Sequence, residues 1–180
     1  MIPTEEQAKA LWNKYRLPES KRIHVALVAR VTSFLAEQLA KSSGLWKINN
    51  KLLVAAALLH DIDKTVPKMP GETHPDTAVR ILREEGMEEV AVLVATHSLH
   101  AILDPTFAPK TWEEKLLYLS DKMVKQEIIT VDKRFALWRS EDLPHAARRT
   151  LDACYPKVKE LEKEVFALIE VKPHEVALLA

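Results

Sequence analysis

Apolar residues recur along most of the chain at spacings of three and four, which is the periodicity of amphipathic α-helices. The sequence contains no run of alternating β-branched residues long enough to predict a sheet. The pattern therefore predicts an all-α fold with about seven to nine helices. One segment, about 50–63, is apolar on every side, which is typical of a helix buried in the middle of a fold.

Capping and turn residues indicate where these helices begin and end. Thr4 is the expected N-cap of the first helix, and Thr111 followed by Trp-Glu-Glu indicates a capping box. Pro75 is expected at the first position of a helix that Gly86 closes, and the second helix is expected to end near Gly44. The predicted helices cover about 4–15, 19–41, 50–63, 75–86, 87–103, 111 to beyond 121, 131–138, and 144–169 with an interruption near 156.

Length and composition exclude several classes of protein. The 180 residues fit one domain, 1–180, with a motif-bearing part at about 22–125 and a C-terminal helical extension at about 127–180. Only 3 Gly are present, so the glycine-rich loops that bind dinucleotides or nucleoside triphosphates are excluded. The single Cys154 excludes an internal disulfide and a cysteine zinc site.

Charge and hydropathy predict the compartment and the partners. The 26 basic and 26 acidic residues balance, so binding to a nucleic-acid polymer is not expected. The first residues lack a basic segment followed by an apolar stretch, and the longest apolar run, 52–59, is shorter than a membrane span. We therefore expect a cytoplasmic chain without membrane contact, acting on a small molecule and able to form a homo-oligomer.

Three ionisable residues lie on the apolar faces of three different predicted helices. They are His24, His97 and Asp121, each three or four residues from apolar neighbours on its own helix. Taken singly, each is more simply explained as a core residue with a hydrogen-bond partner. Because burial of an unpaired charge is costly, their joint occurrence favours a shared metal or ion pair.

His60 and Asp61 stand together where the all-apolar helix ends, so both can face one pocket. An imidazole beside a carboxylate suits a divalent metal, and the alternative is that the pair only caps the helix.

His74, just before Pro75, can reach the same site or can be a surface residue in a turn. Lys64 can bind a phosphate oxygen as a point charge, or can simply lie at the helix C-terminus.

Taken in order, these residues resemble the signature of the HD superfamily of metal-dependent phosphohydrolases. The segment LLHDIDK is similar to the signature that names the superfamily, and HPDTAVRIL to the segment that adds a histidine in two-metal members. ATHSLH and LLYLSDK are similar to the segments with the next histidine and the last aspartate. The similar region runs from about Arg22 to Lys125.

The resemblance implies an all-α fold with a site for two divalent transition metals, of which Fe, Mn, Zn, Co and Ni are all compatible with the ligands. It implies that the first metal is held by four residues, His24, His60, Asp61 and Asp121. The second would be held by His74 and His97, with the Asp61 carboxylate bridging the two. Asp61 and Lys64 are the implied catalytic residues, and Lys64 and His100 the candidates for substrate binding.

The implied function is cleavage of a phosphate ester or anhydride bond of a nucleotide-like substrate by metal-activated water. The two added histidines resemble symmetrical diadenosine-tetraphosphate hydrolases and cyclic-dinucleotide phosphodiesterases more than single-metal deoxynucleotide hydrolases. The chain lacks the Gly-Tyr-Pro motif of the cyclic-dinucleotide enzymes. Asp63 stands where the diadenosine-tetraphosphate hydrolases and the cyclic-dinucleotide phosphodiesterases commonly have a small residue. We expect its carboxylate to put negative charge near the phosphate site.

Two other functions use the same ligands. One is a di-iron oxygenase on the HD scaffold, and the other is a non-catalytic module that binds a nucleotide or a metal. The chain after Glu127 matches no segment of the superfamily, and we expect it to form part of the substrate pocket or an oligomer contact.

Overall fold

The computed structural model describes residues 1–43 and 47–179. Within these residues it has nine α-helices, one 3-10 helix (Leu99–Leu103) and no strand, which confirms the predicted all-α class. The α-helices are α1 (Glu5–Lys14), α2 (Glu19–Ser43), α3 (Asn50–Leu59), α4 (Asp76–Glu84), α5 (Glu88–Ala95), α6 (Trp112–Lys122), α7 (Val131–Ser140), α8 (His145–Phe166) and α9 (Pro173–Val176).

The predicted caps form as expected at three helix ends. The Thr4 side chain accepts a hydrogen bond from the backbone N–H of Gln7, whose side chain accepts one from the backbone of Thr4. Thr111 and Glu114 make the same reciprocal pair at the start of α6. Gly86 follows α4 with φ of 73°, in the left-handed region that glycine adopts without strain.

The buried helix α3 is shorter than the sequence predicts, because it ends at Leu59 rather than near Asp63. The chain tightens into turns after that point. The backbone N–H of Ile62 donates to the carbonyl of Leu59 at 3.1 Å, and that of Lys64 to the carbonyl of Asp61 at 3.3 Å. These three-residue hydrogen bonds replace the four-residue helical pattern and rotate the following side chains away from the helix axis.

The predicted helix at 87–103 is wrong, because the chain forms α5 and a separate 3-10 helix instead. Ser98 has φ of −63° and ψ of 147°, an extended conformation that cannot continue a helix.

Pro75 precedes α4 as its N-cap instead of occupying its first position. The expected end of the second helix near Gly44 lies outside the described residues.

The last long helix, α8, is continuous through Pro156, so the predicted interruption is wrong. A proline inside a helix removes one backbone hydrogen bond. The buried stripe of Leu151, Cys154, Val158 and Leu161 runs across this position and packs against the core. Packing of that stripe offsets the lost bond. The short helix α9 was not predicted.

The core surrounds α3. This helix packs against α1, α2, α5 and α6, and its six residues Leu53, Ala55, Ala56, Ala57, Leu58 and Leu59 are buried. The three consecutive alanines allow neighbouring helices to approach closely. Each fully buried leucine contributes roughly 1.5–3 kcal/mol relative to exposure. The end of α3 is therefore fixed on several sides at the point where His60 and Asp61 follow.

The C-terminal part of the chain packs beside this core. Helices α7 and α8 pack against each other, and the 3-10 helix packs against α8. The side chain of Phe135 on α7 is fully buried and meets the rings of Trp138 and Tyr155 edge-on. This cluster holds α7 against α8.

One helix, α2, is long and apolar enough over Glu19–Ser42 to cross a membrane by length and composition. Core helices of globular proteins meet the same criterion. Half of the window is buried inside the fold, where α2 packs against α3 and α6. Its length and apolar character are therefore accounted for by core packing.

Candidate metal centre

The structure brings all six predicted metal ligands together at one end of the helical core. They come from α2, the turn after α3, the turn before α4, the turn after α5, and α6. Their ligand atoms form three overlapping groups, each within 4.8 Å: His24, His60 and Asp121; His60, Asp61 and His97; and Asp61, Asp63 and His74. The groups share members, so they form one continuous cluster.

Local structure explains how the side chains reach this point. His24 lies on the α2 stripe that also buries Val28 and Val31. His60 is the C-cap of α3, and Asp61 follows it in the turn, so the two neighbours diverge from the helix and both enter the cluster. His97 follows the C-cap residue of α5 in the same way. Helix ends therefore supply three of the ligands.

Backbone carbonyls fix the orientation of three imidazole rings. Nδ1 of His60 lies 2.8 Å from the carbonyl of Ala57, and Nδ1 of His97 lies 2.6 Å from that of Val94. Nδ1 of His24 lies 3.1 Å from the Lys125 carbonyl. A carbonyl only accepts, so Nδ1 carries the hydrogen and donates it in each ring. The lone pair of each neutral ring is then on Nε2, which is the arrangement of metal-binding histidines.

The Nε2 atoms meet other acceptors instead of donors. Nε2 of His24 lies 3.0 Å from Oδ1 of Asp121, and Nε2 of His74 lies 3.0 Å from Nε2 of His97. Nε2 of His60 is buried without a hydrogen-bond partner, 3.5 Å from the same Asp121 oxygen. Buried acceptors in mutual contact require a proton or a cation between them. The donor set thus fits a divalent metal.

The charges of the cluster agree with this conclusion. Burial lowers the pKa of His60, but the carboxylates of Asp61 and Asp121 outweigh it, and the pKa lies above its usual value. For His97, burial and the neighbouring His60 and His74 hold the pKa well below its usual value. The negative potential that attracts a proton to His60 also attracts a metal cation, whereas His97 stays neutral and able to coordinate.

Two lysines hold the Asp61 carboxylate between them. Lys64 Nζ lies 2.9 Å from Oδ1, and Lys21 Nζ lies 2.9 Å from Oδ2. Burial raises the pKa of Asp61, but His60, Lys64 and Lys21 outweigh it and keep the carboxyl ionised. Lys21 was missed by sequence reasoning, because nothing distinguishes it from other lysines near a helix start.

A third lysine is fully buried beside the cluster. Lys122 Nζ donates to Oδ2 of Asp121 at 2.8 Å and to the carbonyl of His97, and it lies 4.0 Å from the ring centre of Tyr118. Burial lowers the pKa of Lys122. For Asp121, burial acts to raise the pKa, but the pair with Lys122 and the contacts with His24 and His60 outweigh it, so the pKa lies well below its usual value and the aspartate is ionised.

The carboxylate of Asp63 contacts His74. Its Oδ2 lies 3.1 Å from Nδ1 of His74, and its other oxygen is buried without a hydrogen-bond partner. A carboxylate behind a histidine orients the ring and raises its basicity toward a metal. The contact accompanies an orientation of His74 in which Nε2 faces His97, and the expected effect of Asp63 on a phosphate stays a prediction. Asp63 is a second residue that sequence reasoning did not assign to the ligand set.

The cluster lies at the bottom of a cleft of about 180 Å³. Lys21, Lys64, Lys122 and Arg134 line it together with Trp138, so four cationic side chains surround the carboxylates. This environment suits an anionic ligand. Arg134 and Trp138 come from α7, in the region for which the sequence predicted only a pocket or an oligomer contact.

His100 is not part of this cleft. It is exposed and lines two neighbouring cavities. The extended backbone at Ser98 separates it from α5, so the helical register that would put it one turn beyond His97 is lost. The structure does not bring His100 to the candidate ligands, and its role in substrate binding stays a prediction.

Comparison with known proteins adds one finding. The family described as HD domain matches residues 22–135, which is more than half of the chain and includes the six predicted ligands. No curated protein and no solved structure matches the chain significantly. HD domains bind divalent metals and are generally hydrolases, and the histidine and aspartate groups agree with this. The chain belongs to the HD domain family.

Proposed function

We propose that this chain is a metal-dependent phosphohydrolase that cleaves a phosphate ester or anhydride bond of a nucleotide-like small molecule. The observation that supports this most directly is the convergence of imidazole Nε2 atoms and aspartate oxygens at the bottom of a cleft lined by cations. Metal ligands and phosphate-binding groups thus occur side by side, as hydrolysis of a phosphate requires.

Six residues are proposed to hold two divalent ions. His24, His60, Asp61 and Asp121 would hold one, and His74 and His97 the other, with Asp61 shared. The contact of 3.0 Å between Nε2 of His74 and Nε2 of His97 supports a cation at the second position. Bound metal would supply Lewis acidity and neutralise charge on the phosphate oxygens.

The residues of the chain itself have three proposed tasks. Asp61 is the shared ligand, held at both oxygens by Lys64 and Lys21. Lys64 is the proposed catalytic cation, because its ammonium group lies in the cleft and can bind a phosphate oxygen as charge develops. Lys122, which is buried and paired with Asp121, positions that ligand rather than binding substrate.

The cavities beside the cleft support a substrate with organic groups on both sides of its phosphates. One cavity of about 440 Å³ shares Ser98 with the cleft, and another of about 500 Å³ shares Leu99 and Trp138. Symmetrical dinucleoside polyphosphates have this form, and we propose them as the first class to screen. The balanced charge of the chain favours a small substrate over a polymer.

The two alternative functions, a di-iron oxygenase and a non-catalytic binding module, would use the same metal ligands. They differ from a phosphohydrolase in what they require of the residues around those ligands. A di-iron oxygenase has no need for the four cations that line the cleft, and these favour a phosphorylated substrate. A non-catalytic module would tolerate loss of a ligand, whereas all six predicted residues are present and converge.

The test is phosphate release by purified protein loaded in turn with manganese, iron, cobalt, nickel and zinc. The substrates are nucleoside mono- and triphosphates, dinucleoside polyphosphates and cyclic dinucleotides. Wild type should release phosphate or a nucleotide product, Asp61→Asn should lose at least about a hundredfold in rate, and Asp142→Asn, at an exposed position, should match wild type. Oxygen uptake by the iron-loaded protein without any hydrolysis would contradict the proposal, as would equal rates in Asp61→Asn and wild type.

A further inference from the structure

Arg134 is the unpaired cation of the cleft. The three cleft lysines each form an ion pair with Asp61 or Asp121, whereas the side chain of Arg134 has no ion pair or hydrogen bond among residues 1–43 and 47–179. Its Nε is buried without a partner. The side chain as a whole is partly buried, and burial of this N–H without an acceptor lacks the compensation that a hydrogen bond normally gives.

The guanidinium of Arg134 is nevertheless held in place. Its central carbon lies 4.2 Å from the ring centre of Trp138, one turn further along α7. Stacking on an aromatic ring fixes the plane of the guanidinium and leaves its N–H groups directed outward, as bidentate binding of a phosphate requires. The fully buried Phe135 anchors the same turn of α7. Arg134 is thus a rigid donor that faces the cleft without an acceptor.

Trp138 also lines a second cavity that adjoins the cleft. This cavity has a volume of about 500 Å³ and shares Trp138 and Leu99 with the metal cleft. Its wall includes Leu143 and the buried Leu151, and Ala147 and Thr150 of α8 lie along it. The volume is within the usual range for small-molecule sites, and the wall is largely apolar. A molecule whose phosphate is in the cleft would direct its organic part into this cavity.

We propose that Arg134 and Trp138 form the specificity subsite of the enzyme, which selects phosphorylated compounds with a planar ring. Arg134 binds an oxygen of a phosphate in the cleft. Trp138 and the apolar wall of the adjoining cavity hold the ring, by stacking and by exclusion of water. This inference rests on the proposed function, because it takes the occupant of the cleft to be a phosphate.

The position of the subsite gives the C-terminal extension a function. Arg134 and Trp138 lie on α7, and most of the cavity wall lies on or just before α8. His100 is at the same cavity, so the residue predicted to bind substrate is placed to contact the organic part and not the phosphate. Most of the ring-binding residues thus come from the C-terminal part of the chain, whereas Leu99 and His100 lie between the ligands His97 and Asp121.

The test measures binding rather than turnover. Titration calorimetry compares adenosine monophosphate with ribose phosphate, in the metal-free protein and in the manganese-loaded protein. Because stacking of a base on an aromatic side chain has a large effect on affinity, adenosine monophosphate should bind wild type about tenfold more tightly. Equal affinity for the two ligands would overturn the proposal.

Filling the cavity tests whether it holds the ring. Ala147→Trp, and Thr150→Trp as a second variant, should abolish the preference for adenosine monophosphate and leave the affinity for ribose phosphate unchanged. Ala146→Trp, at the exposed neighbouring position outside the cavity, should keep the preference. Retention of the preference in both folded cavity variants would overturn the proposal. The proposal would also be overturned if Ala147→Trp changed the oligomeric state but kept the ligand preference, because the cavity would then be a contact between copies of the chain.

Arg134 is tested by a charge change on the same helix. Arg134→Gln should weaken binding of both ligands by about tenfold, because it removes a charge-assisted hydrogen bond to the phosphate they share. Lys133→Gln removes a charge from the exposed pair with Glu127 and should bind both ligands as wild type does. Wild-type affinity in Arg134→Gln would overturn its assignment.

Failure of this inference is distinguishable from failure of the proposed function. A protein that hydrolyses phosphate compounds at the same rate with and without a ring retains the proposed function and lacks the subsite. A protein that selects adenosine monophosphate in binding but hydrolyses none of the tested phosphates retains the subsite and lacks the proposed function.

Discussion

Nε2 of His74 and Nε2 of His97 lie 3.0 Å apart, although Nδ1 of each ring already faces another acceptor. Those acceptors are the carboxylate of Asp63, at 3.1 Å, and the carbonyl of Val94, and the ammonium of Lys64 lies farther from Nδ1 of His74, at 3.4 Å. Neutral rings held in this way direct two lone pairs at each other. A cation between them removes the repulsion. Because the carboxylate of Asp61 lies beside them, with Oδ1 3.8 Å from Nε2 of His74, the ligand set suits a divalent metal.

Replacement of one of these rings should remove one metal. We expect His74→Gln to bind about one manganese ion per chain where wild type binds about two. The remaining site keeps its own histidines and Asp121 and should retain its affinity. Calorimetric titration with manganese measures both quantities. His100→Gln removes a histidine outside the cluster and should bind metal as wild type does, and an unchanged count in His74→Gln would contradict the two-metal assignment.

Asp63 should influence metal affinity through His74. Asp63→Asn weakens the carboxylate contact that orients the ring, and residues in this position typically change metal affinity by about 10–100-fold. We expect a loss at the lower end of that range with unchanged stoichiometry, measured by competition with a metal-binding dye. Asp142→Asn is the matched control. Wild-type affinity in Asp63→Asn would show that the contact does not orient the ligand.

Lys122 should stabilise the metal-free protein. Lys122→Met leaves the carboxylate of Asp121 without its buried cation, and breaking a buried ion pair costs about 3–5 kcal/mol. We expect a loss of this size in urea unfolding with chelator present, and a smaller loss with manganese, because bound metal stabilises the folded state and supplies positive charge. Lys133→Met, at an exposed position, should unfold as wild type does. Equal stability of Lys122→Met and wild type in chelator would contradict this role.

Glu85 links α1 to the end of α4 and should give a pH-dependent contribution to stability. Lys14 and Tyr15 donate to its carboxylate and lower its pKa. Burial, together with the contact to Glu85, raises the pKa of Tyr15 to about 12. A carboxyl whose pKa is lowered by folding stabilises the protein above its unfolded pKa, and this is lost as pH falls through the folded pKa. Glu85→Gln should be about 1 kcal/mol less stable at neutral pH.

The difference between wild type and Glu85→Gln should shrink as the pH falls below the ordinary glutamate pKa of about 4.5. Urea unfolding at several pH values measures it. Comparison of the two proteins at each pH cancels the titration of the metal cluster, because both proteins contain the same cluster. A difference that grows toward acid pH would mean that the sign is wrong.

The sequence predicted much of the site because ligands on buried helical faces violate the apolar pattern. His24 interrupts an apolar stripe of α2, and Asp121 does the same on α6. The pair His60 and Asp61 is visible because it ends the one helix that is apolar on every side. In each case a polar residue stands where burial would otherwise be costly, and that conflict is readable without a structure.

The remaining residues could not be predicted, because their roles depend on tertiary contacts. Lys21 meets Asp61, which is forty residues away, and an exposed lysine near a helix start has no local signature. Arg134 is informative only because its side chain makes no ion pair or hydrogen bond with the residues that the structure describes. His100 was a candidate for substrate binding on a predicted continuous helix at 87–103, and the extended residue Ser98 interrupts that helix. Local backbone breaks of this kind are decided by packing and not by periodicity.

The measurement that tests the central claim most directly is the metal content of the wild-type chain. The protein is purified without chelator, reloaded separately with manganese, iron, cobalt, nickel and zinc, desalted, and analysed for bound metal per chain. Convergence of four histidines and two aspartates predicts about two ions per chain, with at least one of these metals retained through desalting. A chain that retains none of the five metals would contradict the assignment of this cluster as a metal centre.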